Sequence, residues 1–374
     1  MANDILLIPG PVTISDNVRQ ALGSASAAHT SPEFAAVFSR VLKNTRIVFK
    51  GGQTSQPLIL AGSGTLGWDV AASNLIESGD KVLVISTGFF SESFAECLQA
   101  YGAHVDKVKA SLGDVVPLSD VRDALECVNY KMVTITHVDT STGVLNDVES
   151  ICQVVKQVAP EALIVLDGVC SVGCERLEFE AWGIDYALSA SQKALGAPPG
   201  LSVSLLSERA VKKALNREAP ASFFASLKKW IPVMQNYEMG KASYFATPAV
   251  QLVNALDVSL AEILDYGLDA RIAKHWATSD WFKNKVTEEL GLELVTNSAR
   301  DSAHGLTAIY VKNPAEIIGA LKQSGIVIAG GLHADIKNQY IRVGHMGELA
   351  CEPSLQHLQT CFEALKVSIG GKEA

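Results

Sequence analysis

Lys193 is the one charged side chain between Asp185 and Glu208, within Ala187-Leu188-Ser189-Ala190-Ser191-Gln192-Lys193-Ala194-Leu195-Gly196-Ala197-Pro198-Pro199-Gly200. A surface lysine ordinarily sits among other charges; this one follows a mostly apolar run and precedes small residues and a Pro-Pro-Gly break. Removing lysine from water disfavours its ammonium form, and the free amine is the nucleophile that condenses with a carbonyl. The plainer role is a strand-end lysine whose head snorkels to water. Asp167 closes the apolar run 162–166, either as an anion held at a strand tip or as a cap for the following turn. Gly62-Ser63-Gly64-Thr65-Leu66-Gly67 follows the apolar segment 57–61 and opens a helical pattern running to residue 76. Strand, glycine turn and helix in that order present backbone N–H groups to an anion, so a phosphate site is expected here; a turn made only for packing is the alternative. Arg342 interrupts the apolar strand pattern 340–343, and taken alone it reads as an edge-strand charge facing water.

These residues need a scaffold that brings strand ends together. Apolar strand patterns at 57–61, 81–86, 132–136, 162–166, 185–189 and 201–206 alternate with amphipathic helical ones, which predicts an α/β fold with a mainly parallel, doubly wound sheet. Ligands in such sheets bind beyond the carboxyl ends of the strands, where Gly62 to Thr65, the loop from Gly88, Thr140, Asp167 and Lys193 all fall. That common placement favours the functional reading of Lys193. A long helix is expected over 249–266. Beyond Gly267 the pattern becomes a smaller α+β unit: a helix to residue 290, strands at 292–295 and 304–311, a helix at 314–324, strands at 326–328 and 340–343, and a closing helix from Ser354. The expected division is an N-terminal segment 1–17, a large domain 18–262 and a small domain 263–374.

Composition narrows the function classes. Of 374 residues 48% are hydrophobic and 19% charged, enough for a large core, and the formal net charge is −9. An acidic chain lacks the basic field that nucleic acid or an anionic membrane surface would require. The opening residues have no basic region, and no apolar run approaches a membrane span, so the default expectation is a cytoplasmic protein. The seven cysteines are odd in number and form no C-x-x-C pair. Cys170 and Cys174 could make half a metal site, but without a partner pair buried thiols are the better reading. No Asp or Glu follows Ser86-Thr87-Gly88 for a ribose, and no arginine stands near for a 2′-phosphate, which demotes a Rossmann-type NAD(P) oxidoreductase.

A phosphate cradle, an anion at a strand tip and an isolated lysine are the three supports that pyridoxal 5′-phosphate requires. The stretches carrying them, with Thr136-His137-Val138-Asp139-Thr140-Ser141-Thr142-Gly143-Val144-Leu145 and Asp167-Gly168-Val169-Cys170-Ser171, resemble class V aminotransferases of fold type I. Within that family they are most similar to the fungal branch of the alanine–glyoxylate (serine–pyruvate) aminotransferases. Pro9-Gly10-Pro11, His29-Thr30-Ser31-Pro32-Glu33-Phe34, the segment 244–248 and the segment 340–347 extend the resemblance over nearly the whole chain.

The resemblance implies a transamination from L-alanine to glyoxylate, giving pyruvate and glycine, with serine as the alternative donor. It implies that Lys193 bonds the cofactor and moves the substrate proton, and that Asp167 pairs with the pyridinium nitrogen. Ser63, Gly64, Thr65 and Gln192 would hold the phosphate, Phe90 and Val169 would flank the ring, and Thr140 would bond its 3-hydroxyl. Tyr244 and Thr247 would reach the phosphate of a neighbouring subunit, making a homodimer. Arg342 would clamp the substrate carboxylate, with Gly10 beside the substrate. Two departures bear on substrate preference: Thr65 stands where animal relatives carry His, and Phe90 where Trp is common. A cysteine desulfurase would need a thiol on a mobile loop, whereas Cys351 and Cys361 fall in or beside the closing helix. A silent scaffold is disfavoured by the presence of Lys193, Asp167 and Arg342 together.

Overall fold

The computed structural model describes residues 4–218, 221–352 and 356–370. Its strands, in chain order, are β1 (Ile5–Leu6), β2 (Gln56–Ala61), β3 (Lys81–Ser86), β4 (His104–Lys109), β5 (Met132–Thr136), β6 (Val138–Asp139), β7 (Val144–Leu145), β8 (Leu163–Asp167), β9 (Tyr186–Ala190), β10 (Leu201–Leu206), β11 (Leu306–Tyr310), β12 (Ile326–Val327), β13 (Ala329–Gly330) and β14 (Tyr340–Gly344). Seven form one sheet in the order β2-β10-β9-β8-β5-β3-β4. Strands β9, β8, β5, β3 and β4 run parallel, and β10 is antiparallel to both its neighbours. The carboxyl ends of β2, β3, β5, β8 and β9 therefore share one edge.

The central strands are buried along their whole length, as β5, β8 and β9 show. Helices cover both faces of a parallel sheet, so such strands carry continuous apolar runs and each buried Leu, Ile or Val contributes about 1.5–3 kcal/mol. The covering helices start where short polar side chains accept backbone N–H groups. Ser31 caps Pro32–Val48, Asp147 caps Val148–Val158 and Ser207 caps Glu208–Asn216.

A second core gathers Phe282, Ile309, Leu321, Ile341, Val343 and Phe362 around the antiparallel sheet β11-β14-β13, and it also takes in Leu7 from the N-terminal segment. That segment is tied on by parallel pairing of β1 with β12, Ile5 opposite Ile326. The helix Val250–Tyr266 runs unbroken through the position expected to divide two domains at 262, and Leu268–Asn284 follows after Gly267.

Two expectations need correction. Residues 292–295 form no strand; their ladder contact is an isolated bridge, Leu294 to Ile309. The expected helix to residue 290 ends as an α-helix at Asn284 and continues as the π-turn Lys285–Glu289. Ser354, the expected start of the closing helix, lies outside the described residues, and the described helix is His357–Gly370.

Candidate active site

Asp167 is the last residue of β8 and Lys193 lies just past the end of β9, the strand paired beside it. Asp167 is 4% exposed. Its Oδ2 accepts the indole N–H of Trp68 at 2.8 Å and its Oδ1 accepts Val169 N–H at 3.0 Å. The second bond is the turn cap that the plainer reading foresaw, but the carboxylate does more than cap. Burial pushes its pKa up, these two neutral donors offset only part of the rise, and it settles at about 6 instead of the ordinary 3.8. An anion in this position gains strongly from a cation brought alongside.

Lys193 is half-buried, and its Nζ donates to the carbonyl of Pro9. Among the described residues it has no salt bridge, unlike Lys50, Lys107 and Lys109. Gly10 makes room for it. Its φ is +100°, where a side chain is strained, and a Cβ there would stand 2.5 Å from Lys193 Cδ and 2.7 Å from Nζ, so the lysine side chain would have to move aside.

The turn after β2 leads into the helix Gly64–Leu75, whose N-cap Ser63 makes no side-chain capping bond and whose first turn carries no acid. The helix start thus leaves backbone N–H groups and a hydroxyl free for an anion. Gly64 must be glycine for packing as well, because a Cβ would meet Val169 Cγ2 at 2.9 Å and Ala190 Cβ at 3.2 Å. Thr65 lies in that first turn, exposed. Gln192, next to Lys193, has its Oε1 buried without a hydrogen-bond partner among the described residues.

Phe90 and Val169 are both partly buried against the main core. Thr140 is buried at the end of the β6 hairpin strand, and its carbonyl accepts Arg342 Nη1 at 3.1 Å. Arg342 overturns the edge-strand reading. It lies in β14, the middle strand of its sheet, is 7% exposed, and also donates from Nε to Gly330 O at 2.8 Å. Burial lowers the pKa of its guanidinium from the usual value.

This set of groups sits in a chain whose residues 15–367 match the family model "Aminotransferase class-V". The chain belongs to the class V aminotransferase family. Alanine–glyoxylate aminotransferase 1 of Saccharomyces cerevisiae is 52% identical over 99% of both chains. Serine–glyoxylate aminotransferase of Arabidopsis thaliana is 28% identical, over 92% of this chain and 86% of the plant protein. The crystal structure of an alanine–glyoxylate aminotransferase from Nostoc sp. superposes with a TM-score of 0.89 at 26% identity, over 98% of this chain and 96% of that one.

For this aminotransferase two expected residues stand apart. Tyr244 is 62% exposed with its ring 5.3 Å from that of His29, Thr247 is also exposed, and among the described residues neither bonds to the groups around Lys193. The thiols weighed for a desulfurase are buried, Cys351 at the end of Glu348–Cys351 and Cys361 inside His357–Gly370, and burial pushes Cys361 up to about 12. No helix of the described residues is long and apolar enough to cross a membrane.

Two neighbours of the site escaped the sequence reading. Trp68 signalled itself only by lying one helical turn beyond Gly64. Asp139, fully buried, accepts from Phe90 N (3.1 Å), Ser91 N (3.2 Å), Ser91 Oγ (3.2 Å), Ser141 N (3.1 Å) and Ser141 Oγ (2.6 Å). It anchors the N-terminus of the helix Phe89–Ala100 to the Thr140 loop. A negative charge at a helix start is stabilising, but no local pattern in the sequence pairs residue 139 with residues 90 and 91.

Proposed function

We propose that this chain transfers the amino group of L-alanine to glyoxylate, yielding pyruvate and glycine, with pyridoxal 5′-phosphate as cofactor. The observation that carries the reading is Asp167 and Lys193 at adjoining strand ends beside a helix start with unspent donors. The 52% identity to the yeast alanine–glyoxylate enzyme supports the choice of substrates. The residues fit this cofactor. Ser63 Oγ and the N–H groups of Gly64 and Thr65 offer donors to a phosphate, with the Gln192 amide beside them. The buried carboxylate of Asp167 suits a protonated ring nitrogen, whose charge would supply what the two neutral donors do not.

When bound, the cofactor supplies an aldehyde that takes up the amino group and a ring that draws electrons from the substrate α-carbon. Lys193 Nζ would be the amine that bonds that aldehyde in the resting enzyme and the base placed to accept and return the substrate α-proton. Arg342 has spent Nε and one N–H of Nη1 on backbone carbonyls, so its remaining donors are left to bind the carboxylate shared by donor and acceptor. Phe90 and Val169 would flank the ring, Thr140 would offer a bond to its hydroxyl, and the backbone at Gly10 would lie beside the substrate. Tyr244 and Thr247 act in the site of a second subunit, which accounts for their exposure here and makes the working enzyme a homodimer.

The test is the visible spectrum of the purified protein supplied with cofactor. A yellow band lost on adding L-alanine and restored by glyoxylate is the expected result. A band that serine but not alanine removes would assign serine as donor, and no band at all would overturn the reading.

A further inference from the structure

Strand β14 carries Tyr340 and Arg342 two residues apart, hence on one face. Both reach the loop that leaves β6. Arg342 Nη1 donates to Thr140 O at 3.1 Å, and the Tyr340 hydroxyl donates to the next carbonyl, that of Ser141. Both also grip the segment that leaves β13. Arg342 Nε donates to Gly330 O at 2.8 Å, while Tyr340 Oη accepts Leu332 N–H at 2.8 Å and His333 N–H at 3.0 Å. The phenol is 0% exposed, and its one donor and two acceptor positions are all used.

A guanidinium is planar, so its free edge points wherever its bonded edge is pinned. The two pins of Arg342 lie on separate pieces of chain, one after β6 and one at β13. Apart from the guanidinium itself, the group among the described residues that joins those two pieces beside the pins is the Tyr340 hydroxyl. We infer that Tyr340 is the positioning residue of the carboxylate clamp: it holds the Thr140–Ser141 and Gly330–His333 segments at the separation that aims the free donors of Arg342. The inference rests on Arg342 binding the substrate carboxylate. Buried and with its hydroxyl fully used, Tyr340 has no polar group left over for a ligand. Its ring packs with Val295, Ala308 and Ile336, and Phe would preserve that packing.

The experiment compares Tyr340→Phe with Tyr130→Phe, which loses a phenol bond to Asp106 (2.8 Å) on β4, away from the clamp. In Tyr340→Phe, KM for L-alanine and for glyoxylate should each rise about five- to tenfold while kcat stays within about threefold. Propionate, a carboxylate that cannot react, should bind more weakly by the same factor, and amide exchange at Leu332 and His333 should quicken. Tyr130→Phe should change none of these. Unchanged KM and unchanged propionate binding in Tyr340→Phe would overturn the inference, and so would a fall in kcat with KM untouched. Failure of the parent enzyme to bind propionate would instead remove Arg342 from the carboxylate site, and the role of Tyr340 with it.

Discussion

Asp167 and Glu175 flank one short turn, and both are carboxylates buried from water. Glu175, 1% exposed, accepts His304 N–H at 2.6 Å, pairs with His304 Nδ1 at 2.8 Å and accepts Trp276 Nε1–H at 3.1 Å. Burial raises its pKa, but the bonds and charge of His304 outweigh the rise and hold it below the ordinary value. Asp167 has only two neutral donors, and burial wins, leaving it at about 6. Identical chemistry at identical depth thus becomes a strut in one place and a socket in the other. What separates them is how far the bonds and charges that the fold supplies offset burial.

The sharpest way to break this contrast is to remove the other half of the socket. Lys193→Ala should cut turnover by about 10³-fold or more, since a positioned acid–base group alone is worth 10²–10⁴, while the far-ultraviolet spectrum and melting temperature stay near those of the parent. Substantial residual rate would end the assignment of Lys193. Glu175→Gln should do the reverse. Breaking a buried pair costs about 3–5 kcal/mol, read by urea denaturation, and kcat of the folded variant should stay within about threefold. A variant that folds normally but loses turnover would make Glu175 part of the chemistry.

Acid–base behaviour sharpens the comparison further. Asp167 binds its proton more tightly folded (about 6) than its ordinary 3.8, so between those pH values the native state carries more protons and stability falls as pH rises. Asp167→Asn lacks this contribution. In the cofactor-free protein, its stability relative to the parent should therefore improve by on the order of 2–3 kcal/mol from about pH 4 to about pH 6, then level off. For Glu175 the sign inverts. Its contribution is present above its ordinary 4.5 and is lost as pH falls below that value, so Glu175→Gln should lose ground to the parent as pH rises through that lower range. Parallel curves for the two variants would refute the strut-and-socket distinction. The smallest effect is expected from Trp68→Phe. Losing one donor to Asp167 should move the upper end of the parent's decline to higher pH by about half to one unit, measured in the same denaturation series.

The main sheet was legible because a strand covered on both faces is buried along its length and therefore mostly apolar. The sequence therefore located 81–86, 132–136 and 201–206 at the ends later observed. Lys193 was legible for the opposite reason, as a charge with no charged company. Taken alone, Arg342 reads as an edge-strand charge because alternation along one strand cannot reveal that β11 and β13 flank it on either side. Residues 292–295 have the strand pattern, but they pair through a single bridge. Trp68 and Asp139 act through contacts made only once the helices are docked, so their roles have no local signature.

The carbonyl that meets Lys193 is moored at points far apart along the chain. Pro9 accepts from Lys193, yet the segment bearing Pro9 is held by β12 and by the bond from Gly344 N to Leu7 O. On its other side the same segment is fastened by the bond from Val12 N to Gln192 O at 3.0 Å, next to Lys193 itself. The strip over the lysine is thus strung between the loop after β9 and the smaller core, and both set the place of the carbonyl that meets Lys193.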